Sequence, residues 1–207
     1  MKYYFTVFLL IVISWQACAQ KHIAKNLDAS HISNIKINGN NLFKINITSQ
    51  ATSNIDMLLK VEGEDNEQIL LLSRVQNDTL YLASSYQPLF TPPDNKSSAH
   101  KQISIELVLQ IPENVNLFLE SDIASVFISG NYHDVLIELL NGHFKTSQFL
   151  GNLVVNTLLG DIYVETNYAV VDCYTRKGAV FQEKLVAGEN QISLNSVNGD
   201  ITVTKTE

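Results

Sequence analysis

Residues 158–166 read LLGDIYVET, and two relatives of this stretch lie elsewhere in the chain: LNGHFKTS at residues 140–147 and VNGDITVTK at residues 197–205. In each stretch a glycine is followed by alternating apolar and polar residues, which is typical of a half-buried β-strand. A reaction centre is usually assembled once from unlike residues, whereas a recurrent pattern builds recurrent structural units. The three stretches therefore indicate a repetitive β-architecture.

Alignment on these glycines gives a period of 18 residues. The spacings are 18, 18, 18 and 21 residues along the first column, which contains Ala124, Gly142, Gly160, Gly178 and Gly199. They are 18, 18 and 21 along a second column, which contains Val135, Leu153, Val171 and Ile192. The same three-residue insertion falls in both columns, as a true repeat requires. We predict structural turns at Gly142, Gly160, Gly178 and Gly199, because glycine permits positive φ or close backbone approach.

A unit of 18 residues with two short strands cannot bury its apolar edge alone, so successive units are expected to stack with like residues in register. The sequence thus predicts an all-β fold with a right-handed β-helix-like solenoid over residues 117–207, and an antiparallel β-sandwich is the alternative. The inward pairs are expected two and four residues after the first column: Val126 and Ile128, Phe144 and Thr146, Ile162 and Val164, Val180 and Gln182, and Ile201 and Val203.

The front part, residues 32–111, is rich in strand signals. Alternation on both sides of residues 38–41 predicts a hairpin with a tight Asn-Gly turn, and Asn77-Asp78 predicts another reversal. From Ile103 to Ile111 apolar residues alternate with polar ones except at Val108, and Pro112 ends the strand. Residues 84–101 contain three prolines among polar residues and are expected to form a long exposed loop, whether functional or mobile.

The first 19 residues have the order of a secretory signal peptide. Lys2 precedes an apolar run, and Ala17-Cys18-Ala19 supplies the small residues of a cleavage site. We expect cleavage after Ala19, an exported protein in the periplasm, at the outer membrane or outside the cell, and no transmembrane segment afterwards. Lipidation of Cys18 is the alternative, although Trp15 stands where such sequences usually carry an aliphatic residue.

The composition predicts one globular β-domain over residues 20–207. The chain is 45% hydrophobic and 17% charged, with a formal net charge of −7. An acidic surface repels a phosphate backbone, so nucleic acid is excluded as a partner. The expected partner is a protein or a glycan at the cell surface, and self-association is left open.

Polar residues follow the repeated glycines, and His143, Asp161 and Asp200 are the weak site candidates among them. On neighbouring units they could perform general acid–base chemistry, as in glycan-active enzymes on β-helices. The column otherwise holds Ser125 and Ala179 and lacks a cation, so we interpret it as turn-forming polar residues. No catalytic residue, cofactor or metal site is predicted, since neither the five histidines nor the acids have ligand spacing.

Two further features have structural interpretations. Cys173 lies in an inward series with Val171 and Thr175 and is expected to be a small buried group rather than a nucleophile. Tyr81, Tyr86 and Phe90, together with the prolines, either cover one end of the stack or form an exposed aromatic patch, and covering is favoured.

Taken together, the signal segment, the strand-rich front ending in LVLQIPENVNL and the drifting NGDITV-type repeats resemble bacterial adhesin-like families with an auto-transporter "head GIN" or related domain of unknown function. The resemblance covers residues 32–207 and rests on short motifs. It implies an envelope or secreted protein with a β-helix-like fold. We therefore expect a non-enzymatic binding or structural module, with a polysaccharide lyase or hydrolase on the same scaffold as the alternative.

Overall fold

The computed structural model describes residues 20–63, 65–90 and 103–206. Cys18 and the expected cleavage position after Ala19 lie outside the described residues. Within the described ranges the regular structure is fifteen β-strands and one 3₁₀ helix at Asn66–Gln68. No helix in these ranges is long and apolar enough to cross a membrane.

The strands of the front part are β1 (Gln20–Asp28), β2 (Asn34–Asn38), β3 (Lys44–Gln50), β4 (Asn54–Glu62), β5 (Ile69–Gln76), β6 (Thr79–Tyr86), β7 (Ser104–Pro112) and β8 (Asn116–Ser121). Those of the repeat region are β9 (Ser125–Asn141), β10 (Phe144–Leu159), β11 (Ile162–Thr166), β12 (Ala169–Thr175), β13 (Val180–Gln182), β14 (Asn190–Ser196) and β15 (Ile201–Lys205).

The strands form two sheets that share the long strands β9 and β10. The first sheet has the order β1-β4-β7-β3-β9-β10-β11-β15-β13, and the second has the order β5-β6-β2-β8-β9-β10-β14-β12. Pairing is antiparallel only for β1 with β4, β4 with β7 and β5 with β6 among the described strands, and every other ladder is parallel. The all-β prediction is confirmed, whereas the antiparallel sandwich is wrong for the repeat region.

Each of the two shared strands passes from the first sheet to the second at a bend. The ladder between β9 and β10 shifts register between Ser147 and Phe149 and again between Leu150 and Asn152, as β-bulges do. Tyr132 and Phe149 stack inside this bend with ring centroids 5.7 Å apart. Burial raises the pKa of Tyr132 far above its ordinary value, and its hydroxyl donates a hydrogen bond to the Ser129 carbonyl at 3.1 Å.

One apolar core lies between the two sheets, and the alternation of the sequence builds it. The expected inward residues from Val126 to Val164, together with Ile201 and Val203, are buried, and so are Val135, Leu153 and Ile192. Val171 of the second column is half-buried, while Val180 and Gln182 are exceptions, since both are exposed. The exceptions lie on β13, the last strand of the first sheet, which has a neighbour on one side only among the described strands.

The 18-residue register is observed where the chain stacks in order. Phe144 pairs with Val126 on one side and with Ile162 on the other, and Leu153 pairs with Val135. Beyond this point the order changes, because Ile201 pairs with Ile162 and Ile192 pairs with Leu153. The last unit, β14 and β15, is thus inserted between β10–β11 and β12–β13. Stacking in strict chain order was a wrong prediction, and a continuous solenoid is not what these pairings form.

The front part shows the same interleaving. β2 lies between β6 and β8 in the second sheet, and β3 lies between β7 and β9 in the first. The predicted hairpin of β2 and β3 is therefore wrong, because the turn at residues 38–41 carries the chain across the core to the other sheet. The alternation of apolar and polar residues on both sides of the turn fits either arrangement. A β-arch, which connects strands of two facing sheets, buries the same side chains as a hairpin does.

Two other predictions for the front part are confirmed, and the predicted loop is shorter than expected. β5 and β6 form an antiparallel hairpin through Asn77, whose φ is 56°, and β7 ends at Pro112 with its alternate residues buried. The predicted loop 84–101 begins too early, because β6 continues to Tyr86. Residues 91–101 of that loop lie outside the described residues.

The repeated glycines allow the turns of successive units to touch. A Cβ on Gly160 would lie 1.8 Å from the carbonyl oxygen of Gly142, and one on Gly178 would lie 2.0 Å from that of Gly199. Positive φ is required at Gly142 only among these four. Close approach between backbones, rather than backbone strain, therefore explains why the column is glycine.

At the front end, two lysines of β1 join the edges of both sheets. Lys21 Nζ donates hydrogen bonds to the carbonyls of Glu67 and Ile69 at 2.8 and 3.2 Å, and Lys25 Nζ reaches the Leu71 carbonyl at 2.8 Å. These carbonyls belong to the outer edge of the second sheet and the turn before it. The lysines thus occupy groups with which another strand would otherwise pair.

Candidate functional site

The structure brings His143, Asp161 and Asp200 into one column on a corner of the stack. His143 Nδ1 lies 3.6 Å from Asp161 Oδ2. Each side chain also accepts a hydrogen bond from a backbone N–H of the next unit: Asp161 N to His143 Nδ1 at 3.2 Å, Asp200 N to Asp161 Oδ1 at 2.9 Å, and Ala179 N to Asp200 Oδ1 at 2.8 Å. The column follows the interleaved order of the strands.

These contacts describe a capping role for the column. A backbone N–H at a turn needs an acceptor, and each polar side chain supplies one to the unit above it. The other two members of the column, Ser125 and Ala179, carry no charge that would stabilise a transition state.

Hydroxyl groups three residues before Gly199 and Gly178 complete these two turns, and they were not predicted from the sequence. Ser196 Oγ accepts a hydrogen bond from Gly199 N at 2.8 Å, and Thr175 Oγ1 accepts one from Gly178 N at 3.1 Å. Thr175 also donates to the Gly199 carbonyl at 2.8 Å. The signal for these turns in the sequence is the recurrence of Ser or Thr at this position in four of the five units, at Ser121, Thr157, Thr175 and Ser196.

A groove of about 740 Å³ lies elsewhere, on the outer surface of the second sheet. The cross-strand register places one row of outward side chains along it: Arg74 of β5, Tyr81 of β6, Lys36 of β2, Phe118 of β8 and Leu136 of β9. The next row contains Leu72, Ala83, Asn38, Glu120 and Glu138, in the same strand order. Residues distant in sequence therefore share one continuous surface.

The first row of the groove combines aromatic rings with cations. Lys36 Nζ lies 5.4 Å from the ring centroid of Phe118 and 5.9 Å from that of Tyr81. Arg74 lies 5.8 Å from the same Tyr81 ring. No described carboxylate forms an ion pair with either cation. Both cations lie over ring faces of the groove, and Arg74 also donates a hydrogen bond to Gln76 Oε1.

The second row is polar toward its β9 end. Asn38 Nδ2 donates a hydrogen bond to Glu120 Oε1 at 3.0 Å, and Glu138 stands in register beside Glu120. Both carboxylates line the groove and are exposed. The groove thus has an apolar floor, two cations along one row and hydrogen-bonding groups along the other.

Of the three aromatic residues noted in the sequence, only Tyr81 lies in this groove. Tyr86 packs against the core and stacks with Phe90 at 5.5 Å, which agrees with the covering role. No local sequence pattern around Lys36 or Phe118 predicted a binding surface. Their proximity depends on the insertion of β2 between β6 and β8, which local sequence patterns do not specify.

Cys173 lies outside both the corner column and the groove. Cys173 is half-buried, and burial together with the nearby Asp172 carboxylate raises the pKa of its thiol to about 11, which disfavours the reactive thiolate. In the described ranges, His, Cys, Asp and Glu side chains form no group of three or more that could hold a metal ion. His100 lies outside those ranges.

Comparison with known proteins shows similarity of fold. No protein-family model matches the sequence, and no curated protein matches it either. Among solved structures, a "putative cell adhesion protein" from Clostridium sporogenes is similar over 91% of this chain and 100% of its own, with 15% identity and a TM-score of 0.62. A "putative adhesin" from Bacteroides fragilis covers 89% of this chain and 97% of its own, at 12% identity and a TM-score of 0.43.

At this level of identity the likeness concerns the fold alone. The match to the Clostridium protein spans 91% of this chain, so the two proteins share their overall fold. The "head GIN" domain that the sequence resembles finds no support from a family model. Function has to be argued from the surface of this chain.

Proposed function

We propose that the protein is an exported, non-enzymatic, adhesin-like binding module, and that the groove on the second sheet binds a glycan chain at a cell surface. The observation that carries the proposal is the row Arg74–Tyr81–Lys36–Phe118, which lies across four strands beside the polar row at Asn38 and Glu120. The Clostridium protein of similar fold is named a "putative cell adhesion protein". That name agrees with the proposed role, although it describes the Clostridium protein alone.

The chemistry of the groove favours a glycan. A sugar ring has one apolar face and a rim of hydroxyls, so it requires aromatic or aliphatic surface and hydrogen-bonding groups at short distance. The groove supplies the first with Tyr81, Phe118 and Leu136 and the second with Asn38 and the two glutamates. Lys36 and Arg74 additionally favour sugars that carry a carboxylate or sulfate on that side.

A glycan-active enzyme is the second candidate, and one observation favours it. Glu120 and Glu138 are in-register neighbours within the groove, and paired carboxylates perform glycoside hydrolysis. However, Glu120 accepts a hydrogen bond from Asn38, both side chains are exposed, and the sheet surface is open to water. We therefore assign the pair to binding and not to catalysis.

The test of the proposal measures binding and cleavage in the same samples. Purified protein is applied to a panel of immobilised bacterial and host polysaccharides, and the supernatants are assayed for reducing ends and unsaturated sugars. We expect binding to part of the panel, no released product, and a loss of about tenfold or more in affinity for Tyr81→Ala and Phe118→Ala. Tyr163→Ala, which removes an exposed tyrosine from the first sheet, is the matched control.

The outcomes separate the candidates. Product release that disappears in Glu120→Gln or Glu138→Gln would establish the enzyme. Binding that is equally weakened by the Tyr163→Ala control, or unaffected by both groove variants, would contradict the assignment of the groove. A wild-type protein that binds proteins of the host surface but no polysaccharide would replace the glycan with a protein ligand.

Export and domain organisation are part of the proposal. We propose cleavage after Ala19, with Gln20 as the new first residue, and a single domain over residues 20–207. Intact-mass measurement on protein from the native host tests this directly. A mass that includes acyl chains on Cys18 would instead establish a lipoprotein.

We also propose that the units from residue 124 to residue 166 are rungs of a β-helix-like stack, with the expected right-handed turn. The in-register pairing of Val126, Phe144 and Ile162 supports the proposal. The inserted last unit then represents a local exchange of order within a repeat, because Ile201 offers Ile162 the same apolar contact that Val180 would offer.

A further inference from the structure

The rear end of the stack, which β12 and β13 form, is uneven. Beyond β10 the first sheet continues with β11, β15 and β13, whereas the second continues with β14 and β12. The first sheet is therefore one strand longer at this end. Within the described part of the chain no strand pairs with the outer edge of β12 or of β13. The rear end thus presents a step one strand high with two free edges.

Apolar side chains are exposed at this step. Val180 is in register with Ile201, which in turn pairs with Ile162, yet Val180 is 47% exposed while the two isoleucines are fully buried. Phe181 next to it and Tyr174 of β12 are 58% and 63% exposed. Of these three residues Val180 alone belongs to the inward column, because Phe181 and Tyr174 are in register with the outward residues Thr202 and Asn195. The inward column thus ends at the exposed Val180 and Gln182, as it would if a further strand belonged there.

The front end differs in both respects. Beyond β9 each sheet has four strands, so the front end has no step. Its edges are connected by Lys21 and Lys25, which donate to carbonyls beside and within β5. Edge strands protected in this way resist pairing with another chain, and the rear edges lack such protection.

We propose that two copies of this chain associate through their rear ends, with β13 of each copy pairing antiparallel to β12 of the other. Val126 pairs in parallel with Phe144, so each turn of the chain comes back to the same position along the strand direction. The strands of the first sheet therefore run in the direction opposite to those of the second sheet. A twofold rotation about an axis parallel to the strands preserves strand direction. It places the longer sheet of one copy against the shorter sheet of the other, and both steps are filled.

A second copy fits this surface better than an unrelated chain does. The step is self-complementary under that rotation, so one contact satisfies both free edges and covers both Val180 side chains. An isologous contact of this kind closes at two copies, and the lysines at the front ends prevent growth into a fibre. The corner between β12 and β13 carries Arg176 and Lys177, both exposed, so the dimer brings like charges together and added salt should strengthen it.

Sedimentation of the purified protein over a range of concentrations tests the proposal. We expect a monomer–dimer equilibrium for the wild type, and a monomer for Val180→Lys and for Phe181→Lys, because a charge at the covered edge opposes pairing. Both positions are exposed, so circular dichroism and thermal unfolding of the variants should remain native-like. Tyr163→Lys, at a similarly exposed tyrosine on an inner strand, should leave the dimer intact.

Amide hydrogen exchange locates the contact independently. Protection of β12 and β13 should increase with protein concentration, while that of β1 and β5 should not change. A wild type that stays monomeric at every concentration, a dimer that persists in both lysine variants, or concentration-dependent protection at the front end would each overturn the proposal.

Discussion

Gly199 lies against Gly160, although the two residues are 39 positions apart: a Cβ on Gly199 would stand 1.9 Å from the carbonyl oxygen of Gly160. Gly160 has the same relationship with Gly142, at 1.8 Å, and Gly178 has it with Gly199, at 2.0 Å. The glycine column therefore has the interleaved order 142, 160, 199, 178. The same order governs the polar column one residue later, from His143 to Ala179.

Replacement of Gly160 by alanine should destabilise the protein by about 3 kcal/mol, because the new methyl group forces two backbones apart inside the stack. Chemical denaturation followed by circular dichroism measures this change. Tyr163→Ala on the neighbouring strand is the control and should cost far less, since its side chain is exposed. Equal effects would mean that the turns are not in contact.

The alternation of β11 predicts opposite responses at adjacent positions. Ile162 is fully buried and Tyr163 is 45% exposed, so Ile162→Asp places an unpaired carboxylate in the core, whereas Tyr163→Asp leaves it in water. We expect a loss of about 4 kcal/mol or more for the first, a large part of the stability of a typical domain. Thermal unfolding of the two variants checks this, and similar midpoints would show that the strand faces the other way.

The acceptor role of the corner column can be separated from proton transfer. Asp161→Asn keeps an oxygen that accepts from Asp200 N, and combined with His143→Gln it should leave stability and binding nearly unchanged. Asp161→Ala removes the acceptor and should cost about 1 kcal/mol. Activity of any kind that is lost in the double variant while the unfolding midpoint is retained would contradict the structural role.

Cys173 should react slowly with alkylating reagents at neutral pH. Its thiol pKa is raised to about 11 by burial and by Asp172, so the thiolate fraction in the folded protein is small near pH 7 and grows as the pH approaches 11. Alkylation followed by mass spectrometry should show a rate that rises with pH well above the range of a free thiol. A rapid reaction at neutral pH would mean that the thiol is not shielded.

Local sequence patterns predicted the features of the fold that depend on a single strand or on regular spacing along the chain. Alternation identified the buried face of β7 and of β11, and the 18-residue spacing predicted the register of Phe144 with Val126 and Ile162. The order of the last units was not predicted, because Ile201 of β15 and Val180 of β13 would make similar apolar contacts with Ile162 of β11. One signal was present: Gln182 is long and polar where the equivalent residues are apolar (Ile128, Val164 and Val203) or short (Thr146), which suits a strand at the end of the stack.

The groove could not be predicted for the same reason. Lys36, Tyr81 and Phe118 are outward residues of three strands that are remote in sequence, and each alone resembles any exposed strand residue. They meet because β2 is inserted between β6 and β8. His143 and Asp161, by contrast, were placed together correctly by the repeat, since both lie in units that stack in chain order.

The most direct test of the central claim is an NMR titration of the isotopically labelled protein with a polysaccharide that it retains in the binding panel. The account predicts that shift changes concentrate on Lys36, Tyr81 and Phe118 and on their neighbours in the polar row, with the polysaccharide recovered intact. Shift changes centred on His143, Asp161 and Asp200, or progressive cleavage of the polysaccharide during the titration, would contradict it.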